Sequence, residues 1–412
     1  MPASDDPSNG RAPKFQWLNR TVFGIGLASL FSDWAHEIAT TVLPAFLATL
    51  GGSAAAWLGL IEGVADGLSS FAKMASGFYT DKLARRKPIA IVGYLVTALG
   101  TASFSLATMP WHILLSRSLA WLGRGVRTPV RKVLLAGAVT KETYGRAFGF
   151  ERMMDTVGAI VGPATALLLI TVFAHNYRHV FMVTLIPGLM AAAVITFFVR
   201  EKERKRVSHI SFGERLRALP TAYRKFLVAV GLFGAADFAP TLLILLATQR
   251  LTPDFGAAKA ASYAVGFYVL RNIFYAGSAP VAGWLADNFP KHSVLAAGYT
   301  LAAVMAVLII LAPPTAWMLC FIFILSGIYV AVEETLEDSF CAELVEEEQH
   351  GMAFGVLATV NGLGDFLSSI VVGLLWTTFG TTVAFVYSAV LFAVGAILVL
   401  SVNRPYEYKA KK

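Results

Sequence analysis

The stretch Gly77-Phe78-Tyr79-Thr80-Asp81, followed by the basic residue Arg85, occurs twice in this chain of 412 residues. Its second copy is Gly283-Trp284-Leu285-Ala286-Asp287, followed by Lys291, and it begins 206 positions later (283 minus 77). A repeat at half the chain length predicts two halves with the same fold. Glycines and a phenylalanine farther along recur at the same offset: Gly145, Phe148 and Gly149 match Gly351, Phe354 and Gly355.

The composition is that of a membrane protein. Hydrophobic residues make up 56% of the chain and charged residues 15%, with a mean hydropathy of +0.64. Apolar stretches of about 20 residues, long enough to cross a hydrocarbon core of about 30 Å, recur from end to end. We count twelve spans, numbered in chain order, at approximately 21–49, 56–79, 88–108, 111–137, 145–174, 179–199, 224–250, 262–286, 292–312, 315–341, 351–376 and 382–402. We therefore predict an all-α integral membrane protein with twelve transmembrane helices, in a lipid bilayer that we expect to be a bacterial cytoplasmic (inner) membrane.

Basic residues predict the orientation of these helices. They cluster in the N-terminal tail, at 82–87, at 200–217 and in the C-terminal tail, which places both termini in the cytoplasm. The net charge of +8 follows from this topology and indicates no nucleic-acid partner. Within the linker between the halves, 210–219 is predicted as either a short amphipathic helix on the cytoplasmic surface or a flexible tether. The predicted domains are a cytoplasmic tail 1–20, a six-helix bundle 21–199, the cytoplasmic linker 200–223, a second six-helix bundle 224–402 and a cytoplasmic tail 403–412.

The two halves differ in the sign of their charges. A duplicated membrane protein with complementary halves is typical of transporters that work by alternating access. We expect gating and substrate selection at the positions where the sign has changed. At the repeat offset, basic residues of the fourth span fall on acidic residues of the tenth: Arg127 on Glu333, Arg131 on Glu337 and Lys132 on Asp338.

The run from Gly77 through Asp81 to Arg85-Arg86-Lys87 resembles the signature of the loop between the second and third helices in the major facilitator superfamily. Lys82 stands where arginine is commoner in that signature, and Ala84 stands where glycine is usual. The resemblance covers essentially the whole chain. It implies a fold of two pseudo-symmetric six-helix bundles and a protein that functions as a monomer.

In that family the signature residues have a mechanical role. Asp81 can accept N–H groups at the N-terminus of a neighbouring helix, where the helix dipole favours an anion. Asp287 would do the same in the second half. Gly77, Arg85 and Gly283 belong to the same two latches, which the resemblance assigns to the outward-facing state.

Span five contains Gly158, Gly162 and Pro163 in a pattern similar to the Gly-x-x-x-Gly-Pro motif of the family's antiporter branch. In that branch the motif ends in glycine, whereas Ala166 takes that place here. The resemblance favours export by exchange over uptake. The alternative is plain helix packing, because small residues four apart let any two helices approach closely.

Span one contains Asp33, His36 and Glu37 on one helical face. Charges inside a membrane are costly, so each needs a partner or a function. Two carboxylates beside an imidazole form a candidate proton-coupling site. The alternatives are a structural polar network and a metal site, since these side chains supply oxygen and nitrogen ligands.

Span four carries Arg124, Arg127 and Arg131 on one face. Arginine binds carboxylates and phosphates in a two-pronged geometry. Arg124 and Arg127 are therefore candidates for an anion clamp in the cavity, or for pairing with carboxylates on another helix. Arg131 and Lys132 lie nearest the cytoplasm, where we expect them to mark the membrane boundary, although the sign change also makes Arg131 a gating candidate.

Span ten carries Glu333, Glu334, Glu337 and Asp338. Four bare charges can hardly be buried together, so we expect some of them to pair with basic side chains across the two halves and to close the cytoplasmic side. Glu333, the deepest, is expected to face the cavity, and Glu337 is a gating candidate. A solvated acidic helix end is the alternative from Glu337 onward.

Other charged residues are more isolated in the sequence. Arg271 in span eight lies near mid-membrane, and Glu62 or Asp66 in span two is its expected partner at the interface between the halves. Arg271 and Asp237 in span seven are also candidates for the cavity, whereas Asp365 in span eleven is expected to be structural. Three residues at the start of span five are expected to form a local salt bridge: Glu151, Arg152 and Asp155.

The sequence thus predicts a proton-coupled secondary transporter, working by alternating access and exporting a small organic molecule by antiport. The alternatives are a transporter of an organic anion, a metal ion or a metal chelate such as a siderophore, and a non-transporting membrane sensor on the same scaffold. We expect no cofactor, with protons as the coupling ion. An enzyme is not expected, because the sequence contains no nucleophile elbow, phosphate-binding loop or paired-cysteine metal site.

Overall fold

The fold is helical wherever the structure describes it. The computed structural model describes residues 17–51, 54–174, 176–201, 211–313 and 315–402, and every regular element in these ranges is a helix. The predicted C-terminal tail, most of the N-terminal tail and 202–210 of the linker lie outside the described residues. The α-helices in chain order are α1 (Arg20–Thr49), α2 (Ala54–Lys82), α3 (Lys87–Ala102), α4 (Pro110–Ala136), α5 (Tyr144–Val172), α6 (Tyr177–Val183), α7 (Leu185–Phe198), α8 (Phe212–Ala218), α9 (Thr221–Gly234), α10 (Pro240–Phe255), α11 (Ala257–Asn288), α12 (Lys291–Leu311), α13 (Ala316–Leu344), α14 (His350–Phe379) and α15 (Thr381–Leu400).

These helices account for the twelve predicted spans. The helices α1 to α5 supply one span each, and α6 with α7 forms the sixth because only Thr184 separates them. The helices α9 and α10 together form the seventh, and α11 to α15 form the last five. The short helix α8 lies between the two halves.

The seventh span, predicted as one helix over 224–250, is broken in the middle. The helix α9 ends at Gly234 and α10 begins at Pro240. Proline fits the first position of a helix because the N–H it lacks would have no partner there. Irregular backbone at membrane depth is tolerated where it lines a cavity, and this break carries Asp237.

Seven of the described helical segments are long and apolar enough to cross a membrane by length and composition alone. They are spans three, five, six and nine to twelve. The other five spans are α1, α2, α4, α9 with α10, and α11. Span seven falls short because the break divides it into two short helices. The other four carry most of the charged residues predicted to have a function, which lower their hydropathy.

The two halves meet through equivalent pairs of helices. The helix α2 packs against α14, and α5 packs against α11. Phe148 and Phe354 occupy equivalent positions in the repeat and contact each other, with ring centroids 5.7 Å apart. Two equivalent residues can touch only near the symmetry axis, so the pseudo-twofold axis passes between these rings.

The glycines kept by the repeat lie where the helices of the two halves cross. Gly77 faces the backbone of Gly351 and Gly355 on α14, and Gly283 faces the backbone of Gly145 on α5. A Cβ atom at Gly77 would overlap the carbonyl oxygen of Gly351. Only glycine therefore lets the two backbones come this close.

We expect Gly77→Val to force this crossing apart, because the added methyl groups meet backbone rather than a flexible side chain. Overpacking of this kind costs about 1–3 kcal/mol. Faster alkylation of a cysteine introduced at Met352, which is 1% exposed at this crossing, would report the opening. The matched control is Gly59→Val on the same helix, where no atom lies within 4 Å of an added Cβ. Equal alkylation in the two variants would contradict the role of Gly77.

We call the end of the bundle that carries Asp81 and Asp287 the motif end. The helix α8 docks there, with Phe212 packed on Phe78 at 5.4 Å between ring centroids. Arg215 of α8 is buried and lies 3.3 Å from the carboxylate of Asp81. The described part of the linker is therefore a docked helix rather than a flexible tether.

Candidate functional site

Asp81 joins the two halves at the motif end. Its carboxylate accepts hydrogen bonds from the backbone N–H groups of Gly351 and Met352, both at 2.8 Å, in the first turn of α14. The positive end of the helix dipole and these N–H groups, which have no partner within the helix, stabilise the buried anion. Arg85, predicted to belong to this latch, is exposed, and its neighbour Arg86 is buried and donates to the Thr80 carbonyl at 3.0 Å.

Asp287 makes the equivalent contact in the other half. Its carboxylate accepts from the backbone N–H groups of Gly145 at 2.7 Å and Arg146 at 3.1 Å, in the first turn of α5. The Arg146 side chain adds a third hydrogen bond at 2.8 Å. The motif end is therefore closed by two equivalent latches.

Ion pairs also bridge the halves near these latches, and the longest of them joins Arg152 to Asp338 at 3.6 Å. Lys132 of α4 donates to Asp338 of α13 at 2.5 Å, and Arg152 of α5 contacts Glu334 of α13 at 2.6 Å. Lys132 and Asp338 are equivalent in the repeat, so this pair also lies close to the pseudo-twofold axis. The expectation that Lys132 only marks the membrane boundary is wrong. The predicted local salt bridge of Arg152 is present, and Arg152 also bridges to Glu334. The local contact with Asp155, at 3.4 Å, is longer than the one with Glu334.

The gating candidates Arg131 and Glu337 bind within their own halves instead. Arg131 is buried and pairs with Glu151 at 2.7 Å, so it does not mark the membrane boundary either. Glu337 accepts hydrogen bonds from Tyr299 at 2.5 Å and Asn361 at 2.7 Å. The sign change therefore marks a bridging pair at Lys132 and Asp338 but not at Arg131 and Glu337.

A central cavity of about 440 Å³ lies between the two halves. Its walls have opposite charge, because the halves contribute residues of opposite sign. The charged residues from the N-terminal half are Lys73, Arg124, Arg127, Arg131, Lys132, Arg152 and Asp155. Those from the C-terminal half are Asp237, Arg271, Glu333, Glu334, Glu337, Asp338 and Asp365.

A lateral cleft of about 840 Å³ lies between α2 and α14. Most of its lining is apolar, including Phe71, Leu363 and Phe366. Lys73 and Asp365 line both the cleft and the central cavity, so the two spaces adjoin.

The span-one residues lie behind the basic wall of the cavity. Asp33 is buried, and its carboxylate lies 3.3 Å from the guanidinium of Arg124. His36 packs on the ring of Trp121 at 4.6 Å, and its Nε2 atom lies 3.9 Å from Glu37. Asp33, His36 and Glu37 do not line the cavity themselves, whereas Arg124, the partner of Asp33, does. No group of His, Cys, Asp and Glu that could hold a metal ion occurs among the described residues, so the metal-site alternative in span one is not supported.

Arg127 lines the cavity but is only 2% exposed. It donates to the Ser32 hydroxyl at 2.5 Å, and its guanidinium lies 4.1 Å from the ring centre of Tyr94. Both contacts hold it back in the N-terminal half. Arg127 is therefore poorly placed for the anion clamp that the sequence suggested.

The expected interface pair between Arg271 and Glu62 or Asp66 is wrong. Glu62 binds Arg117 of α4 at 2.9 Å. Asp66 accepts from the indole N–H of Trp121 at 2.6 Å. Both partners lie in the same half as Glu62 and Asp66.

Arg271 is buried and has neutral partners among the described residues, the hydroxyl of Ser326 at 2.9 Å and the side chain of Asn272 at 3.1 Å. Arg117, which is only 2% exposed, was not among the predicted functional residues. The sequence did contain a signal for this residue: an arginine lies within an apolar span, where a charged side chain is costly unless it has a partner.

The acidic wall contains carboxylates without a cationic partner. Glu333 is 8% exposed, and its Oε2 atom has no hydrogen-bond partner among the described residues. Asp237, in the break between α9 and α10, accepts from the hydroxyl of Tyr329 at 2.9 Å. Asp365, expected to be structural, faces the cavity as well.

The antiporter-like motif holds α5 against α1. A Cβ atom at Gly158 would meet the carbonyl of Leu30, and one at Gly162 would overlap the Cβ of Glu37. Pro163 follows inside α5 without ending the helix. The small residues thus set how closely α5 approaches the span-one carboxylates.

A family model described as the Major Facilitator Superfamily matches residues 25–249 and 226–412. The two matches cover both halves of the repeat. The chain belongs to the major facilitator superfamily. Membership confirms the predicted fold of two six-helix bundles, and this family consists of membrane transporters rather than enzymes. The cytoplasmic location of both termini stays a prediction.

Relatives and solved structures agree with this family. An MFS-type transporter of Methanocaldococcus jannaschii is 26% identical over 385 residues, which are 93% of this chain and 95% of that protein. The multidrug resistance protein MdtH of Salmonella typhi is 25% identical over 248 residues, 59% of each chain. The crystal structure of the Escherichia coli fucose:proton symporter FucP has the same fold, with a TM-score of 0.76 at 19% identity, covering 94% of this chain and all (100%) of that one.

Proposed function

We propose that this member of the superfamily is a proton-coupled transporter that exports a small organic molecule in exchange for protons. The ion pair between Asp33 and Arg124, at 3.3 Å, carries the proposal. Asp33 belongs to the candidate proton site in α1, and Arg124 lines the cavity. A proton on Asp33 therefore changes the charge of the cavity wall.

The sign of this coupling follows from the charges. Ionised Asp33 neutralises Arg124. A proton on Asp33 removes that neutralising charge and leaves one more positive charge beside the cavity. A substrate that binds less well next to a positive charge is released when the proton binds, and by linkage the proton is released when the substrate binds.

The other span-one residues extend this site. The Glu37 side chain is 28% exposed and lies 3.9 Å from His36. His36 in turn follows Asp33 by one helical turn. Together the three side chains give a path by which a proton reaches Asp33 without crossing the substrate cavity.

Two observations support export rather than uptake. A relative over 59% of the chain is a multidrug resistance protein. The motif at Gly158 and Gly162, similar to that of antiporters, contacts the helix that carries the proton site.

Transport of an organic anion has less support from the cavity. Arg124 is already neutralised by Asp33, and Arg127 is held against Tyr94 and Ser32. An anion would have to displace one of these contacts before either guanidinium could bind it.

Flux into proteoliposomes with an acidic interior tests the proposal. Protons leaving down their gradient should drive organic molecules inward, so we expect accumulation that stops when nigericin collapses the gradient. Organic cations, organic anions and metal ions should be compared, with protein-free liposomes as the control. Accumulation that is indifferent to the gradient, or no accumulation of any compound, would contradict the proposal.

A further inference from the structure

Four cavity carboxylates of the C-terminal half form no ion pair among the described residues. Asp237 comes from the break after α9, Glu333 and Glu337 from α13, and Asp365 from α14. None of the four lies within 4.0 Å of a basic nitrogen among the described residues. The side-chain partners they do have are neutral: Tyr329 for Asp237, and Tyr299 with Asn361 for Glu337.

Most cations of the lining are engaged elsewhere, which leaves two to offset this charge. Lys73 and Arg271 are the remaining cationic residues of the lining, and Arg271 binds neutral side chains. The engaged cations are Arg124 with Asp33, Arg127 with Tyr94 and Ser32, Arg131 with Glu151, Lys132 with Asp338, and Arg152 with Glu334.

Among the four carboxylates, Glu333 gives the strongest evidence for a binding site. It is more than nine-tenths buried, it lines the cavity, and its Oε2 atom has no partner among the described residues. Burying an ionised carboxylate without a partner costs free energy. Such a group inside a membrane therefore calls for a proton or a cationic ligand.

We propose that Glu333, with Asp237 and Asp365, forms a subsite for the cationic group of an organic substrate. The inference rests on the proposed transport function and adds the substrate's charge to it. A positive charge in this subsite would provide the cationic partner that the three carboxylates lack among the described residues.

An organic cation fits the subsite better than a metal ion does. The three carboxylates project from three different elements, and no cluster of metal-ligating side chains occurs in the described part of the chain. Phe238, Tyr329 and Leu243 line the same cavity. Aromatic and apolar surface beside carboxylates suits a bulky cation such as a quaternary ammonium.

A cationic substrate also agrees with the coupling proposed above. A proton on Asp33 leaves the positive charge of Arg124 uncompensated in the opposite wall of the same cavity. Like charges repel across the cavity, so proton binding would expel the cation. Exchange rather than cotransport is the expected consequence.

Binding of two ions with the same shape and opposite charge tests the subsite. Tetraphenylphosphonium and tetraphenylborate should be titrated against the purified full-length protein in a neutral detergent, with tetraethylammonium as a smaller cation. We expect at least one of the cations to bind and the borate to bind at least about tenfold more weakly. Equal affinity for the two tetraphenyl ions, or no binding of either cation, would overturn the proposal.

Variants localise the binding. Glu333→Gln and Asp237→Asn should each weaken cation binding by about tenfold or more. Asp254→Asn, at an exposed position on α10 outside the cavity lining, should leave it unchanged. If Glu333→Gln does not fold, Asp365→Asn, at an exposed position, supplies the same comparison. Unchanged cation affinity in all the folded cavity variants would place the binding elsewhere.

The outcome separates this inference from the proposed function, because the binding assay contains no proton gradient. Gradient-driven flux of an anion, with no cation binding, would remove the cation subsite and leave proton coupling intact. Cation binding without any gradient-dependent flux would support the cation subsite and remove proton coupling.

Discussion

Asp33→Asn is expected to abolish gradient-driven transport while leaving the protein folded. Asparagine keeps the size of the side chain but can neither take up a proton nor neutralise Arg124, which lies 3.3 Å away. The variant would then resemble the protonated state permanently, with a positive charge beside the cavity. A loss of flux of at least about 100-fold corresponds to about 2.7 kcal/mol.

The measurement is flux into proteoliposomes at several internal pH values, alongside thermal unfolding of the purified variant. Asp254→Asn is the matched control, because it removes an exposed carboxylate that does not line the cavity. We expect the control to keep both flux and pH dependence. Gradient-driven flux of wild-type size in Asp33→Asn would rule out Asp33 as the coupling residue.

Lys132 and Asp338 are expected to hold the motif end closed. Both side chains are buried, and the Lys132 Nζ and Asp338 Oδ1 atoms lie 2.5 Å apart near the pseudo-twofold axis. Removing one partner of a buried ion pair costs about 3–5 kcal/mol where the other charge is left alone. Asp338→Asn leaves Lys132 alone, whereas Asp338 in Lys132→Met keeps the longer contact with Arg152 at 3.6 Å, so Asp338→Asn should have the larger effect. The single variants Lys132→Met and Asp338→Asn should therefore shift the population strongly towards the state that is open at the motif end.

A double-mutant cycle isolates the pair. The double variant should open the motif end by less than the sum of the single effects, because neither charge is then left unpaired. Alkylation of a cysteine introduced at Met352, which is buried at this end, measures the opening. The control is Arg117→Met, since the pair of Arg117 with Glu62, at 2.9 Å, lies within one half. Opening of the same size in that control would mean that bridging the halves is not what matters.

The repeat predicted more of this structure than the motifs did. Its offset identified the glycines at the helix crossings and the phenylalanines that touch at the axis. It also brought together Lys132 and Asp338, because equivalent residues meet when they lie on a twofold axis. The sequence contained that pair, but the position of the axis was needed to recognise it.

The partners of single charges could not be predicted in the same way. Arg271 was expected to bind Glu62, which instead binds Arg117 in its own half. Arg152 binds locally to Asp155, as expected, but it also bridges to Glu334. The wrong partner of Arg271 and the missed bridge of Arg152 have one cause: helical periodicity says which residues share a face, but not which face turns towards the cavity. The break at Asp237 was missed for a similar reason. Pro240 favours the start of a helix, but a break inside a span is tolerated only where it lines a cavity, and the sequence does not show where the cavity lies.

The direction of proton movement during substrate uptake tests the central claim most directly. Proteoliposomes should contain a trapped pH indicator and be clamped at zero membrane potential, and a substrate identified by the flux measurements should be added outside. Exchange predicts that the interior becomes more alkaline as substrate enters and protons leave, and that Asp33→Asn shows no change. An interior that becomes more acidic would mean cotransport, and an interior pH that stays constant during substrate uptake would mean no proton coupling. Either result would contradict proton-coupled export.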